Sequence, residues 1–422
     1  MTQAIESQAP PTLDDDFVRS NFPGLDRGWV FMDNAGGSQI LKGAVGRIAE
    51  FLFERNVQIG GSYAISQAAA EAVAQGRRAV QMLVNAAHPE EIVFGPSTTQ
   101  LIQTLASAMR RQFNPGDEII LTEADHESNI GAWERLSEFG VVIKFWPIDP
   151  ETYMLKLDDL AALMSNRTRL VCVHHVSNIL GSVMPVAEIA RMVHDGGARL
   201  LVDAVAYAPH RAIDVQAWDV DYYLFSLYKA YGPHHAVAYG KYDLLRELDS
   251  MYHYFYGKEV VPGKLEPGNP NYELTYSTVA LVDYLAALGE RAGDIGSTRQ
   301  RLESGFAAIT AREDALTERL LSWLNNRNDC RVIGRPDNRA SNRVPTIAFK
   351  CHGRNAGEIA RRMDEFGIAI RFGDFHCPRL IEALGDGGDG GVVRVSMVHY
   401  NTLDQVDRLT ESLGKILAEV PA

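Results

Sequence analysis

The chain has 422 residues, 46% apolar and 23% charged, the balance of an ordinary globular protein large enough for two or three domains. Its 54 acidic residues outnumber 41 basic ones and leave a net charge of −13, which argues against nucleic acid as a partner. Four scattered cysteines exclude a disulfide framework or a paired-cysteine zinc site, and neither a signal peptide nor a membrane-spanning run is evident, so a reducing cytoplasm is the expected setting.

In chain order, residues 1–20 read as a polar N-terminal arm carrying Pro10-Pro11 and Asp14-Asp15-Asp16. Helical patterns follow at 41–55 and 64–87, then a short buried strand at 91–94 closed by Gly95-Pro96. Strand-like runs recur at 118–122, 141–148, 170–176, 199–205 and 222–227, separated by helix-length segments such as 128–138, 156–165 and 185–195. Near-continuous apolar strands alternating with amphipathic helices predict an α/β fold whose mostly parallel sheet is covered on both faces. The Pro/Gly-rich segment 260–271 reads as a hinge between a large domain at 21–270 and a smaller α+β domain at 271–422. That second part carries helical patterns near 273–292, 297–326 and 402–418, with strands near 344–350, 367–372 and 392–399.

Ligands of such sheets bind beyond the carboxyl ends of the strands, so the residues that follow each strand carry the chemistry. Lys229 lies in the aromatic run LYKAYGP after the strand YYLFS. It reads either as an amine whose pKa burial lowers for Schiff-base chemistry or as a lysine snorkelling at a strand end. Asp203 ends the apolar strand RLLVD; it either meets a cationic partner, such as a protonated pyridine nitrogen, or caps the next loop. Ser97, Thr98 and Thr99 open a helix, as an anion cradle or a plain cap. His126 follows another strand with no second ligand set at metal spacing around it, so no metal is expected. The adjacent His174 and His175 point to opposite faces of their strand and cannot chelate together.

Taken together and in this order, these residues resemble a fold-type I pyridoxal phosphate enzyme of the class V aminotransferase family, the desulfurase-like subgroup that includes cysteine desulfurases and selenocysteine lyases. FMDNAGGSQ (31–39) is similar to the family's opening loop, residues 202–233 to its cofactor segment, and RVSMVHYNTLDQVDRL (394–409) to its closing strand and helix. NVQIGGSY (56–63) and LEPGNPNYE (265–273) look most like the desulfurase-like members. The resemblance implies pyridoxal 5'-phosphate as cofactor, a small amino acid as substrate and a homodimer with a shared active site. It further implies that Lys229 holds the cofactor as a Schiff base and shuttles protons. Asp203 would pair with the pyridine nitrogen, His126 stack on the ring and Asn178 bond its hydroxyl. Thr98, Thr99, Ser226 and Tyr228, with Asn269 of the partner copy, would hold the phosphate. Arg394 would take the substrate carboxylate, with Asn34 and Arg371 on the same rim.

Three departures bear on the reaction. Ala206 stands where the family usually has Gln or His, Tyr228 replaces the usual His before the lysine, and Asn269 replaces a Thr. RFGDFHCP (371–378) resembles the segment with the sulfur-attacking cysteine, but Cys377 falls one residue late, beside Pro378 at an expected helix start that would favour its thiolate. Two outcomes stay open: sulfur abstraction through Cys377, with a sulfur-acceptor protein, or β-elimination that needs no protein nucleophile. A transaminase or epimerase on the same scaffold is the alternative. Cys172, Cys330 and Cys351 read as structural.

Overall fold

The computed structural model describes residues 12–337, 339 and 341–419. Its strands are, in chain order, Val30–Phe31 (β1), Ile92–Gly95 (β2), Glu118–Thr122 (β3), Val142–Trp146 (β4), Thr168–His174 (β5), Arg199–Asp203 (β6), Tyr222–Ser226 (β7), Ala236–Gly240 (β8), Cys330–Ile333 (β9), Thr346–Cys351 (β10), Ile368–Ala369 (β11), Arg371–Gly373 (β12) and Val392–Ser396 (β13). A seven-stranded sheet of order β2-β8-β7-β6-β5-β3-β4 forms the large domain. β7, β6, β5, β3 and β4 run parallel to one another, while β8 is antiparallel to both β7 and β2. Strands such as Tyr222–Ser226 are buried along their whole length, which is why they read as unbroken apolar runs rather than alternations.

A four-stranded antiparallel sheet, β12-β13-β10-β9, forms the core of the smaller unit, and β1 pairs with β11 beside it. Val30 and Met32 therefore join a core otherwise built from the C-terminal third. The helix Tyr272–Arg291 belongs with the large sheet instead: Leu281, Val282 and Leu285 pack in the same core as β5 and β6. The following helix, Thr298–Asn325, spans both cores, with Phe306 and Ile309 in one and Leu316, Leu320 and Leu324 in the other. The change of core thus falls inside this helix, some distance beyond the hinge expected at 260–271. Helix crossings here are close because they use glycine: a Cβ on Gly76 would meet the Thr275 backbone, and one on Gly305 the Leu285 carbonyl.

Several expectations change in detail. Residues 1–11 lie outside the described residues, but Asp15–Ser20 forms a helix capped by Asp14 rather than a loose arm, and its Phe17 stacks on Tyr284. The segment 128–138 folds as short helical turns around Gly131–Glu134. The strand expected at 367–372 is broken into β11 and β12, which enter different sheets. β8 and β9 escape a reading by pattern because the first is a short Ala-rich run after a turn and the second is only four residues long.

Candidate active site

The carboxyl ends of β3, β5, β6 and β7 converge on a buried cavity lined by Thr98, His126, His174, Asn178, Asp203, Ser226 and Lys229. It shares His126, Asn178 and Lys229 with a wider cavity of about 810 Å³, whose walls are Ala35, Gly36, Arg371, Phe375, His376 and Arg394. Lys229 closes the helical turn Leu227–Lys229 directly after β7. Burial, reinforced by the Arg394 charge, brings its amine down to about 8, against the opposing pull of Asp203, Cys377 and Asp33.

Asp203 ends β6 with 6% of its surface exposed. Burial raises its carboxyl to about 6, even though one oxygen accepts the Val205 N–H at 2.9 Å. Where the cavity meets the start of the twelve-residue helix Thr98–Met109, Ser97 caps that helix by accepting the Gln100 N–H at 3.1 Å. The Thr98 and Ser226 hydroxyls meet there at 2.6 Å. Free N–H groups and a positive helix end at this point suit an anion.

His126 follows β3 and accepts the Ser128 N–H on Nδ1 at 3.1 Å, which places its proton on Nε2. Burial, then the Lys229, His376 and Arg394 charges, push its pKa down to about 4, so the ring is neutral near pH 7. On the wider side, Arg394 is 2% exposed, donates to Asp33 at 2.9 Å and to the Asn178 carbonyl at 3.1 Å, and lies 3.8 Å over the Phe375 ring. Arg371 stands at the mouth, 3.5 Å from the other Asp33 oxygen. The arrangement offers a near-neutral amine, an isolated carboxylate, an anion cradle and a guanidinium around one connected space.

Residues 30–409 match the family model of class-V aminotransferases. The chain belongs to this family. An aminotransferase-like protein of Gibberella zeae is 39% identical over 408 residues, covering 95% of this chain and 98% of its own. A cysteine desulfurase-like protein of Aspergillus flavus is 34% identical, covering 99% and 93%. Among solved structures, a cysteine desulfurase from Escherichia coli superposes with a TM-score of 0.82 at 26% identity, over 96% of this chain and 99% of that one. The fold is therefore the fold-type I architecture anticipated from the cofactor segment.

The structure brings Thr98, Thr99, His126, Asn178, Asp203, Ser226, Tyr228 and Lys229 to one cavity, and Arg371 and Arg394 to the wider cavity that shares its His126, Asn178 and Lys229 wall. Asn34 does not join them. Its amide donates to the Phe31 and Ser396 carbonyls and its oxygen accepts the Tyr400 hydroxyl, so it ties the opening loop to β13 while Ala35 and Gly36 face the cavity. The expectation for Cys377 also changes. It does precede a helix, Pro378–Ala383, but it is fully buried, donates to the Asn178 side-chain oxygen at 2.9 Å, and is pushed well up by that burial instead of down by the helix start. Phe375 and His376 occupy the cavity wall in its place. Asn269 lies on the far side of the Thr98–Met109 helix start, in a separate cavity with Phe94, Gln100 and His234.

Asp33, Asp125 and the cavity-facing role of His174 carry no distinct mark in the sequence. Asp33, the first partner of Arg394, was hidden inside the opening loop; Asp125 and the cavity-facing side of His174 were masked by the more conspicuous His126 and the His-His doublet. A carboxylate immediately before His126 at a strand end was the available signal for Asp125.

Proposed function

We propose that this protein is a pyridoxal phosphate-dependent lyase that cleaves the C–S bond of a sulfur-bearing amino acid by β-elimination. The residues fit the cofactor. Asp203 is a buried carboxylate whose missing counter-charge a protonated pyridine nitrogen would provide. Lys229 has an amine titrating near neutrality that would hold the aldehyde. Thr98, Thr99 and Ser226 at a helix start would take the phosphate. When bound, the cofactor supplies an electron sink for negative charge at the substrate α-carbon.

The chain's own groups then divide the work. Arg394 fixes the substrate carboxylate, with Arg371 beside it, and Asp33 and Phe375 hold the Arg394 guanidinium in a single orientation. The Lys229 amine accepts the α-proton, and the neutral His126 ring covers the reacting centre. The C–S electron pair leaves with sulfur, which takes up a proton. The remaining enamine is hydrolysed after release, so cysteine and water yield sulfide, pyruvate and ammonium.

The observation that carries elimination over sulfur abstraction is the burial of Cys377 behind Asn178, with its thiol held as a donor. No persulfide carrier and no sulfur-acceptor protein are then required. A homodimer is part of this reading, supported by the exposed apolar side chains Val45, Leu52 and Phe53 on the helix Lys42–Glu54 and Tyr63 and Ile65 at the start of Ala64–Val84; Asn269, which lines a cavity of its own, would then serve the partner's phosphate. Four free, buried thiols suit a reducing cytoplasm. The test is product analysis with cysteine and pyridoxal phosphate. Stoichiometric pyruvate and sulfide support the reading, whereas alanine, a racemised amino acid or a transaminated keto acid as main product overturns it.

A further inference from the structure

β5 and β6 run parallel with His174 opposite Asp203, so the two side chains leave the same face of the sheet as neighbours. Both line the buried cavity. Behind His174, Asp125 is almost wholly buried; it accepts from His174 Nδ1 at 3.1 Å and from the Thr122 hydroxyl at 2.8 Å. A carboxylate on Nδ1 fixes that nitrogen as a donor and orients the ring, which leaves Nε2 for the cavity. Nε2 has no protein partner among the described residues, although the residue is only 6% exposed. His175 behaves otherwise: it bonds the Tyr223 hydroxyl at 2.8 Å and stacks on Tyr207 at 3.6 Å, inside the core.

The neighbouring wall is Ala206, a methyl group where a hydrogen-bonding side chain is usual in sequences that this one resembles. Tyr207 does not stand in for it, because its ring is committed to His175 and its hydroxyl donates to the Ala212 carbonyl at 3.3 Å. An oriented, unpartnered ring nitrogen on a buried histidine that lines the cavity, beside a wall without a donor, is suited to a polar ligand contact.

We propose that His174, aimed by Asp125, is a positioning residue that supplies the second polar contact to the cofactor ring beside Asp203, in the place that Ala206 leaves empty. This rests on the reading of the cavity as a pyridoxal phosphate site. Removal of one such contact to a charged or strongly polarised ring weakens binding about tenfold.

The test titrates cofactor-free protein with pyridoxal phosphate and follows the dissociation constant by fluorescence quenching and the absorbance band of the bound form. His174→Ala is expected to raise the dissociation constant about tenfold and to move the band, with His174→Gln recovering most of both. Asp125→Asn is expected to move the band in the same direction, because Nδ1 loses its carboxylate. Ala206→Gln added to His174→Ala should restore affinity, since the two positions then share one task. A His174→Ala protein that melts lower but keeps the wild-type constant and band has lost only packing, and the proposal falls. If His174→Ala does not fold, wild-type values for both His174→Gln and Asp125→Asn overturn it. Failure of the wild type to bind pyridoxal phosphate overturns the reading of the site itself.

Discussion

Replacing Cys377 with serine separates elimination from sulfur abstraction, and the structure sets the size of the effect. A sulfur-attacking cysteine acts as its thiolate. A free thiol of pKa about 8.5 is roughly a tenth ionised at pH 7.5, and one unit above that leaves about 1%. Burial, with Asp125 next, pushes Cys377 well beyond such a shift, and the thiol proton is engaged by Asn178 at 2.9 Å. Serine keeps that donor, so the stability change is expected within about 1 kcal/mol, with the Asn178 oxygen still satisfied. Elimination requires only the Lys229 proton shuttle, and kcat/KM for cysteine should stay within about threefold of wild type. Loss of an essential nucleophile would instead cost about 10⁴-fold or more. The assay is steady-state release of pyruvate, sulfide and alanine from cysteine, alongside the spectrum of bound cofactor. Alanine as the main wild-type product, lost in Cys377→Ser with the spectrum intact, would refute the reasoning.

Further outcomes follow from the same geometry. With Lys229 titrating at about 8, roughly a quarter of chains carry the neutral amine at pH 7.5, so covalent reconstitution with pyridoxal phosphate should accelerate with pH and level off above about 8; a rate still climbing steeply at pH 10 contradicts this. Asp203 has a folded-state value of about 6 above an unfolded one near 3.8, so its contribution to stability is lost as pH rises between the two, a penalty of up to about 3 kcal/mol at neutral pH. Cofactor-free Asp203→Asn should therefore melt higher than wild type at pH 7 but not at pH 3.5, while its kcat with cofactor falls far more than its cofactor content; an unchanged kcat with a raised KM opposes the assigned role. Arg394→Ala should raise KM for the amino acid about 10- to 100-fold through loss of charge-assisted bonds, and steady-state kinetics with an unchanged KM would exclude it as the carboxylate site.

Much of this site was legible because its chemistry conflicts with its surroundings. Lys229 in an aromatic run and Asp203 at the end of an apolar strand are costly unless matched, and strand ends are where α/β sheets bind ligands. The central parallel strands were legible for the reason that both of their faces are buried, unlike the edge strand Val142–Trp146. The directions of Asn34 and Cys377 are not legible, because a one-residue choice on a loop is set by distant partners: Tyr400 and Ser396 for the first, Asn178 for the second. The pairing of His174 with Asp125 is not legible since it joins the end of β5 to the turn after β3, 49 residues apart in sequence. The core change inside Thr298–Asn325 was equally invisible, because a long amphipathic helix carries no mark where its partner changes.

The central claim is that Lys229 holds pyridoxal phosphate in this cavity. Borohydride reduction of the reconstituted protein, followed by peptide mass mapping, tests it most directly. A single reduced pyridoxyl adduct is expected on Lys229 and is absent in Lys229→Ala. An adduct on another lysine, or none in protein that has bound the cofactor, would contradict it.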